Sequence, residues 1–154
     1  MTGTTPSMKK EEYYDSDDIL FIKPGDIPEN TISRINTAEN HISDKARKAA
    51  RIFPEGSVLV TCIGTIGKIG VAEFESSCNQ QINVIVPYSN INSLFLAYNL
   101  LIIRNVIQDA ANTPVVPILN KTEFSKLKVM VPPYEQQCEF AILAQQSDKS
   151  KFYG

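Results

Sequence analysis

Three glycines at intervals of three residues, with a lysine between two of them, form the stretch of this sequence best suited to contact a ligand. Gly64, Gly67 and Gly70 follow a strand-like run and enclose Thr65 and Lys68. Glycine adopts positive φ angles and lets another backbone come close. Since a second strand-like run follows, the pattern predicts a strand, a bent glycine-rich turn that a ligand approaches, and a returning strand.

This turn matches neither of two known kinds of glycine-rich loop. A phosphate-binding P-loop requires Gly-x-x-x-x-Gly-Lys followed by Ser or Thr, whereas Cys62 stands at the first glycine position and Ile69 follows the lysine. The Gly-x-x-Gly loop of a KH domain joins two helices. The loop in this chain joins two strand-like runs, so a KH domain is rejected as well.

Candidate contacts to a nucleic acid lie in this hairpin and just after it. In the major groove, Asn and Gln suit adenine and Lys or Arg suits guanine, each good bidentate pair contributing about 1 to 3 kcal/mol. The candidates in the hairpin and its neighbourhood, which include one hydroxyl, are Thr65, Lys68, Asn79, Gln80 and Gln81.

Charge is divided unevenly along the first half of the chain. Residues 11–29 carry seven carboxylates and one lysine, which is typical of a solvated acidic face that repels phosphate. Residues 44–68 carry five cations and two carboxylates, so phosphate would be attracted there. The cations in this basic stretch are Lys45, Arg47, Lys48, Arg51 and Lys68.

The sequence predicts neither a catalytic residue nor a metal site. His41 is the only histidine, and no Gly-x-Ser-x-Gly elbow is present to support a hydrolytic triad. The clustered acids follow no ligand spacing. The segment from Val131 to Tyr134 resembles the Asn/Asp-Pro-Pro-Tyr loop of DNA methyltransferases, but valine cannot accept a hydrogen bond from a flipped base. No glycine-rich strand-turn-helix for a methyl donor appears either.

Length and composition indicate one ordinary soluble domain. The chain has 154 residues, of which 43% are hydrophobic and 21% charged, and a net charge of -2. Its isoelectric point of about 5.4 argues against a DNA-binding protein that acts alone. Three cysteines without a C-x-x-C pair favour a reducing cytosol, and the longest apolar run is too short to span a membrane.

The sequence predicts that an α+β fold positions the candidate contact residues. This fold has a twisted, β-rich core and one long buried helix. The pattern also predicts a short helix over 45–51 with Ser43 as its N-cap, and a turn at 120–122. The long helix is predicted over 91–111, capped by Ser89 or Asn90, and Tyr134 opens a last helix. The predicted strands are 19–22, 57–63, 71–74, 82–86, 126–131 and an edge strand at 115–119, which contains a proline.

Eight short segments are spread over nearly the whole chain. No single segment is specific for a family, but their order and spacing together are. With them the chain resembles a target recognition domain of the specificity (S) subunit of type I restriction-modification enzymes. The segments are Gly3-Thr4-Thr5-Pro6-Ser7, Lys23-Pro24-Gly25-Asp26-Ile27, Pro54-Glu55-Gly56-Ser57-Val58-Leu59-Val60, Gly64-Thr65-Ile66-Gly67-Lys68-Ile69-Gly70, Asn79-Gln80-Gln81, Phe95-Leu96, Ile118-Leu119-Asn120-Lys121 and Val131-Pro132-Pro133-Tyr134-Glu135-Gln136-Gln137.

The resemblance implies a non-catalytic, cytoplasmic protein that reads one half of a bipartite site in double-stranded DNA. It would work with methyltransferase (M) subunits and, for cleavage, restriction (R) subunits, so that S-adenosylmethionine and ATP bind to those partners and not to this chain. Residues 1–133 would form the recognition domain and 134–154 the start of a conserved spacer or dimerisation helix. An S subunit usually contains two such domains, so a second domain or a second copy of the chain is expected.

The resemblance also divides the candidate contacts into two groups. Residues that belong to the shared pattern cannot encode different targets, so those of the glycine turn and the amide cluster are expected to shape the fold or to touch the sugar-phosphate backbone. Base readout is expected from a variable loop over 34–48. Its candidates are Arg34, Asn36, Asn40, His41, Lys45, Arg47 and Lys48.

Two alternatives remain open at this point. The chain is the recognition portion of a fused methyltransferase-nuclease, whose catalytic motifs lie outside these residues, or it is a protein-interaction module that does not bind DNA itself. The low isoelectric point and the apolar residues at the beginning of the last helix favour the protein-interaction module.

Overall fold

Eight strands and four α-helices make up the computed structural model, which describes residues 1–111 and 115–151, the last three of these by their backbone alone. The strands are β1 (Ile19–Ile22), β2 (Ser33–Ile35), β3 (His41–Ile42), β4 (Ile52–Phe53), β5 (Val58–Thr61), β6 (Ile69–Ala72), β7 (Ser76–Cys78) and β8 (Ile82–Ile85). The helices are α1 (Ser93–Ile102), α2 (Arg104–Asp109), α3 (Lys121–Phe124) and α4 (Tyr134–Lys151). Single 3-10 turns occupy Glu11–Tyr13, Pro24–Asp26 and Asp44–Ala46.

In the described part of the chain, these strands form two mixed sheets of four strands each. The first sheet has the order β2-β6-β5-β8 and the second the order β3-β1-β7-β4. The predicted hairpin is confirmed as the antiparallel pair β5 and β6, with Leu59 opposite Gly70, and β8 pairs with the other edge of β5. Each sheet also contains one parallel pair, β2 with β6 and β1 with β7.

The two sheets and the helices pack as successive layers. Alternate residues of β5 point to opposite sides, so that Val58 and Val60 pack against the helices while Leu59 packs toward the second sheet. The outer face of the second sheet is covered by two of the 3-10 turns, Glu11–Tyr13 and Asp44–Ala46, and Ala46 is buried there. The first sheet is therefore buried on both faces, which explains its nearly continuous run of apolar residues.

The α+β class is confirmed, but the long helix predicted over 91–111 is two helices. The chain breaks at Ile103, and the N-cap is Asn92, whose side chain accepts a hydrogen bond from the N–H of Phe95 at 3.0 Å. A straight helix that is apolar all round cannot bury every face against one sheet. The break places Ile107 in the core, whereas Ile102 stays 72% exposed.

Four other local predictions were wrong. The predicted edge strand over 115–119 is reduced to one bridge between Ile63 and Ile118, and residues 126–131 form no strand. The basic helix over 45–51 is only the 3-10 turn of residues 44–46, because the Ser43 hydroxyl donates to the carbonyl of Glu12 and caps no helix. Residues 120–122 begin α3 instead of a turn, with Asn120 as the N-cap.

Both predicted parts of the chain contain residues that the structure does not describe. Residues 112–114 belong to the predicted recognition domain, and residues 152–154 end the predicted spacer segment. The predicted division into residues 1–133 and 134–154 stays a prediction.

Candidate nucleic-acid interface

The glycine turn is closed by the buried hydroxyl of Thr61, the last residue of β5. This hydroxyl donates to the carbonyl of Thr65 at 2.5 Å and accepts from the N–H of Lys68 at 3.0 Å. Gly64 and Gly67 have φ angles of +75° and +83°, which only glycine adopts without strain. The turn therefore has one well-determined conformation, with Thr65 exposed at its tip.

On the helix side, the turn packs against α2. A Cβ atom added to Gly67 would lie 3.0 Å from Cγ of Arg104, so the arginine stem rests directly on this glycine. The Arg104 guanidinium donates to the side-chain oxygen of Asn30, and Gln108 donates to the carbonyl of Ile66 at 3.2 Å. The helix layer thus fixes the position of the turn.

On the opposite side, the turn contacts the 3-10 segment Pro24–Asp26. Lys68 Nζ donates to the carbonyl of Pro24 at 3.0 Å, and Lys23 Nζ donates to Oδ1 of Asn40 at 2.9 Å. Asp26 holds the segment by accepting the N–H groups of Lys23 and Glu39 at 2.8 and 3.0 Å. The structure therefore brings together Lys68 and Asn40, which come from the two different groups of candidates.

Lys23 is the residue of this group that was missed as a candidate contact. It lies in the Lys-Pro-Gly-Asp-Ile segment, whose only apparent role in the sequence was a turn. The available signal was a lysine immediately before a turn in an otherwise acidic stretch, since it is the single cation among residues 11–29.

The amide cluster makes its hydrogen bonds inside the protein. Asn79 is buried, donates to Oε1 of Gln81 at 2.8 Å and accepts the N–H of Gln81 at 3.1 Å. Gln80 is exposed and accepts the hydroxyl of Thr5 at 2.8 Å. These contacts shape the turn between β7 and β8 and hold the N-terminal segment, where a Cβ on Gly3 would meet the carbonyl of Asn79 at 2.1 Å.

Two cations of the basic stretch, Lys45 and Arg47, are paired with carboxylates. Lys45 Nζ lies 2.5 Å from Asp15, and Arg47 contacts Asp44 at 2.9 Å and Glu75 at 2.5 Å. The hydrogen bond from Arg47 holds the pKa of the Glu75 carboxyl below its usual value. Exposed pairs of this kind are weak and screened by salt, so a phosphate group is able to compete for these cations.

The remaining candidates of the 34–48 loop do not share one surface. Arg34 lies on β2, beside Val71 in the register, and lines a shallow cavity of about 170 Å³ with Tyr98 and Asp148 on the helix side of the first sheet. His41 lies on β3 in the second sheet, 3.9 Å from Asp17. Asn36 and Lys48 are exposed. Both sheets therefore separate Arg34 from the basic residues 45–48, so these do not face the same stretch of a ligand.

Another shared motif, Pro-Pro-Tyr-Glu-Gln-Gln, attaches the last helix to the domain. Gln137 is 1% exposed, accepts the N–H of Asn92 at 2.9 Å, and donates to the carbonyls of Asn90 and Pro132 at 3.2 and 2.8 Å. Farther along α4, the Phe140 ring packs edge-on against the rings of α1, and Tyr98 donates to Asp148 at 2.6 Å. Gln137 thus satisfies backbone groups at the beginning of both helices.

The described residues contain no group of histidine, cysteine and acidic side chains able to hold a metal ion. Burial raises the pKa of the Cys62 thiol to about 11 and that of Cys78 to about 12, so both thiols are protonated at neutral pH. Within the same part of the chain, no helix has the length and apolar character needed to cross a bilayer.

Curated relatives of this chain are specificity subunits. The type I restriction enzyme MjaIX specificity subunit of Methanocaldococcus jannaschii is 29% identical over 143 residues, which make up 90% of this chain and 33% of the relative. The type I restriction enzyme HindI specificity subunit of Haemophilus influenzae is 29% identical over 136 residues, or 86% of this chain and 29% of the relative. The chain thus spans about a third of the length of these relatives.

Solved structures share the fold. The HsdS subunit from Thermoanaerobacter tengcongensis superposes with a TM-score of 0.71 at 15% identity, covering 97% of this chain and 35% of that one. A chain from a structural study of complex assembly and conformational transition of the type I R-M system superposes with a TM-score of 0.75, at the same identity and coverage.

A sequence model of one family also covers nearly the whole chain. The family is described as the type I restriction modification DNA specificity domain, and its model matches residues 2–151. The resemblance inferred from the ordered segments is thereby confirmed: the chain belongs to the family of type I restriction modification DNA specificity domains.

Proposed function

We propose that this chain recognises one half of a bipartite DNA target and directs partner subunits to it. The observation that carries the proposal is the family match over residues 2–151. The geometry supports it, because a rigid turn held between two layers presents an exposed threonine and nearby lysines at one end of the first sheet. Pre-organised side chains of this kind bind with less loss of conformational entropy.

The partners in this proposal are methyltransferase and restriction subunits. These would bind S-adenosylmethionine and ATP, and this chain would contribute no catalytic group. Since the chain spans about a third of the curated relatives, a second recognition domain or a second copy would read the other half of the target. The complex would act in the cytoplasm, and residues 134–154 would begin the helix that connects or pairs two recognition domains.

In this proposal the loop over 34–48 reads the bases. Its candidate residues lie on two different sides of the domain, so each group is tested separately. Lys45, Arg47 and Lys48 lie on the side of the second sheet, whereas Arg34 lies on the helix side of the first. In the complex with methyltransferase subunits, replacing the three residues of the first group by Ala should weaken binding to the target and flatten its salt dependence. Unchanged affinity and an unchanged salt slope would remove these residues from the interface.

One experiment separates this function from its two alternatives. The chain, in its complete specificity protein, is copurified with methyltransferase subunits, and protection of duplex DNA from nuclease digestion is measured. Protection of one sequence by the complex supports the proposal. Binding of S-adenosylmethionine by the chain alone would indicate a fused catalytic protein, and capture of the subunits without any DNA protection would indicate an interaction module.

A further inference from the structure

Three cations surround the glycine turn and are held by uncharged oxygen atoms. Lys68 donates to the carbonyl of Pro24, Lys23 to the amide oxygen of Asn40, and Arg104 to the amide oxygen of Asn30. A neutral acceptor orients a cation without cancelling its charge. All three positive charges therefore remain available to an anionic ligand.

Some cations elsewhere in the described chain are paired with carboxylates, whereas others, such as Arg51, also donate to a neutral oxygen. Lys45, Arg47 and Lys126 each lie within 2.9 Å of a carboxylate oxygen. None of the three cations at the turn forms an ion pair with a described carboxylate. The nearby Asp26 directs its two oxygens at backbone N–H groups, so it positions the segment and leaves the lysines unpaired.

Arg104 is also poorly satisfied by the protein itself. Its Nε atom is buried and has no hydrogen-bond partner among the described residues. An unpaired buried donor is destabilising. The close contact of Arg104 with Gly67 also restricts position 67 to glycine. The stem of Arg104 supports the turn, but its unpaired Nε adds no stability, whereas its positive charge would stabilise an anion bound beside the turn.

The three cations lie on both sides of the turn. Lys23 and Lys68 are on the side of the Pro24–Asp26 segment, and Arg104 is on the side of α2. A two-stranded ribbon fits the major groove of B-DNA, and a phosphate backbone borders that groove on each side. The turn thus has cations on both sides, as the groove has phosphates on both sides.

We propose that Lys23, Lys68 and Arg104 contact DNA phosphates on either side of the glycine turn, and so set the position of the domain on the duplex. The inference rests on the proposed function and adds to it a sequence-independent site. Thr65, at the tip, then points toward the groove. Contacts of this type fix register and orientation and carry no sequence information directly.

The test uses the complete specificity protein in its complex with methyltransferase subunits. Lys23→Gln, Lys68→Gln and Arg104→Gln are compared with Lys128→Gln, which removes an exposed lysine in the segment after α3. Dissociation constants are measured for a duplex with the target and for a scrambled duplex, at several salt concentrations. Thermal melting of each variant identifies losses of fold, and Arg104→Lys retains the charge if Arg104→Gln melts early.

Each of the three Gln variants should weaken binding to both duplexes by a similar factor, about eightfold near ~0.1 M salt, and reduce the salt slope by about 0.9. Lys128→Gln should change neither. The inference is overturned if the three variants retain wild-type slopes, or if they lose affinity for the target duplex alone, as base-reading residues would. If the wild-type complex itself shows no preference for any duplex, the proposed function fails, and this inference fails with it.

Discussion

We expect the buried side chain of Gln137 to contribute strongly to the stability of the domain, because it attaches the last helix. Gln137→Ala removes three hydrogen bonds, to the N–H of Asn92 and to the carbonyls of Asn90 and Pro132. At about 1 kcal/mol for each net hydrogen bond, plus the penalty for the backbone groups left unpaired, the loss in free energy of unfolding should be roughly 3 to 5 kcal/mol. That is a large part of the roughly 5 to 15 kcal/mol of a typical domain.

The assay is thermal or urea unfolding of Gln137→Ala beside Gln136→Ala. Gln136 is the adjacent residue of the same type and is exposed, so its replacement should change the free energy of unfolding by less than about 0.5 kcal/mol. For a domain of this size the difference corresponds to a melting temperature lower by roughly 6 to 20 °C. Equal melting of the two variants would refute the attachment of α4 through Gln137.

Further outcomes follow from the glycine turn and the buried thiols. Gly70→Ala should destabilise the domain by roughly 1 to 3 kcal/mol, because its Cβ would lie 2.9 Å from Cγ1 and 3.1 Å from Cδ1 of Ile35. A simultaneous Ile35→Val removes Cδ1 and keeps Cγ1, so it should recover only part of this loss in urea unfolding. Thr61→Val should destabilise the domain by about 2 kcal/mol, since it removes the two side-chain hydrogen bonds that close the turn, and normal stability would contradict that role. At about pH 8, iodoacetamide should modify Cys138, which is partly exposed, well before Cys78, whose burial raises its pKa to about 12; equal rates by mass spectrometry would contradict the burial.

The parts of the fold that the sequence predicted are those with local signals. Strong apolar runs with flanking glycines located β5, β6 and β8, and the Pro-Pro pair located the beginning of α4. By contrast, β7 consists of Ser76, Ser77 and Cys78, and no local pattern marks it as a strand. It is buried because it lies between β1 and β4, which come from distant parts of the chain.

The candidate site shows the same division. The glycine turn was evident from spacing alone, and its closure by Thr61 required only neighbours in one hairpin. Lys23 and Asn40 approach Lys68 only because the Pro24–Asp26 segment packs against the turn. Pro24 and Lys68, which form this contact, are 44 residues apart in the sequence. Charge counts over 44–68 likewise did not reveal that Lys45 and Arg47 pair with acids from elsewhere in the chain, Asp15 and Glu75.

The central claim is that this chain selects the DNA sequence on which other subunits act. Methylome sequencing of the source strain, with and without the gene, tests it most directly. The account predicts that methylation of one bipartite motif disappears on deletion and returns when the gene is restored. An identical methylation pattern in the two strains would contradict it.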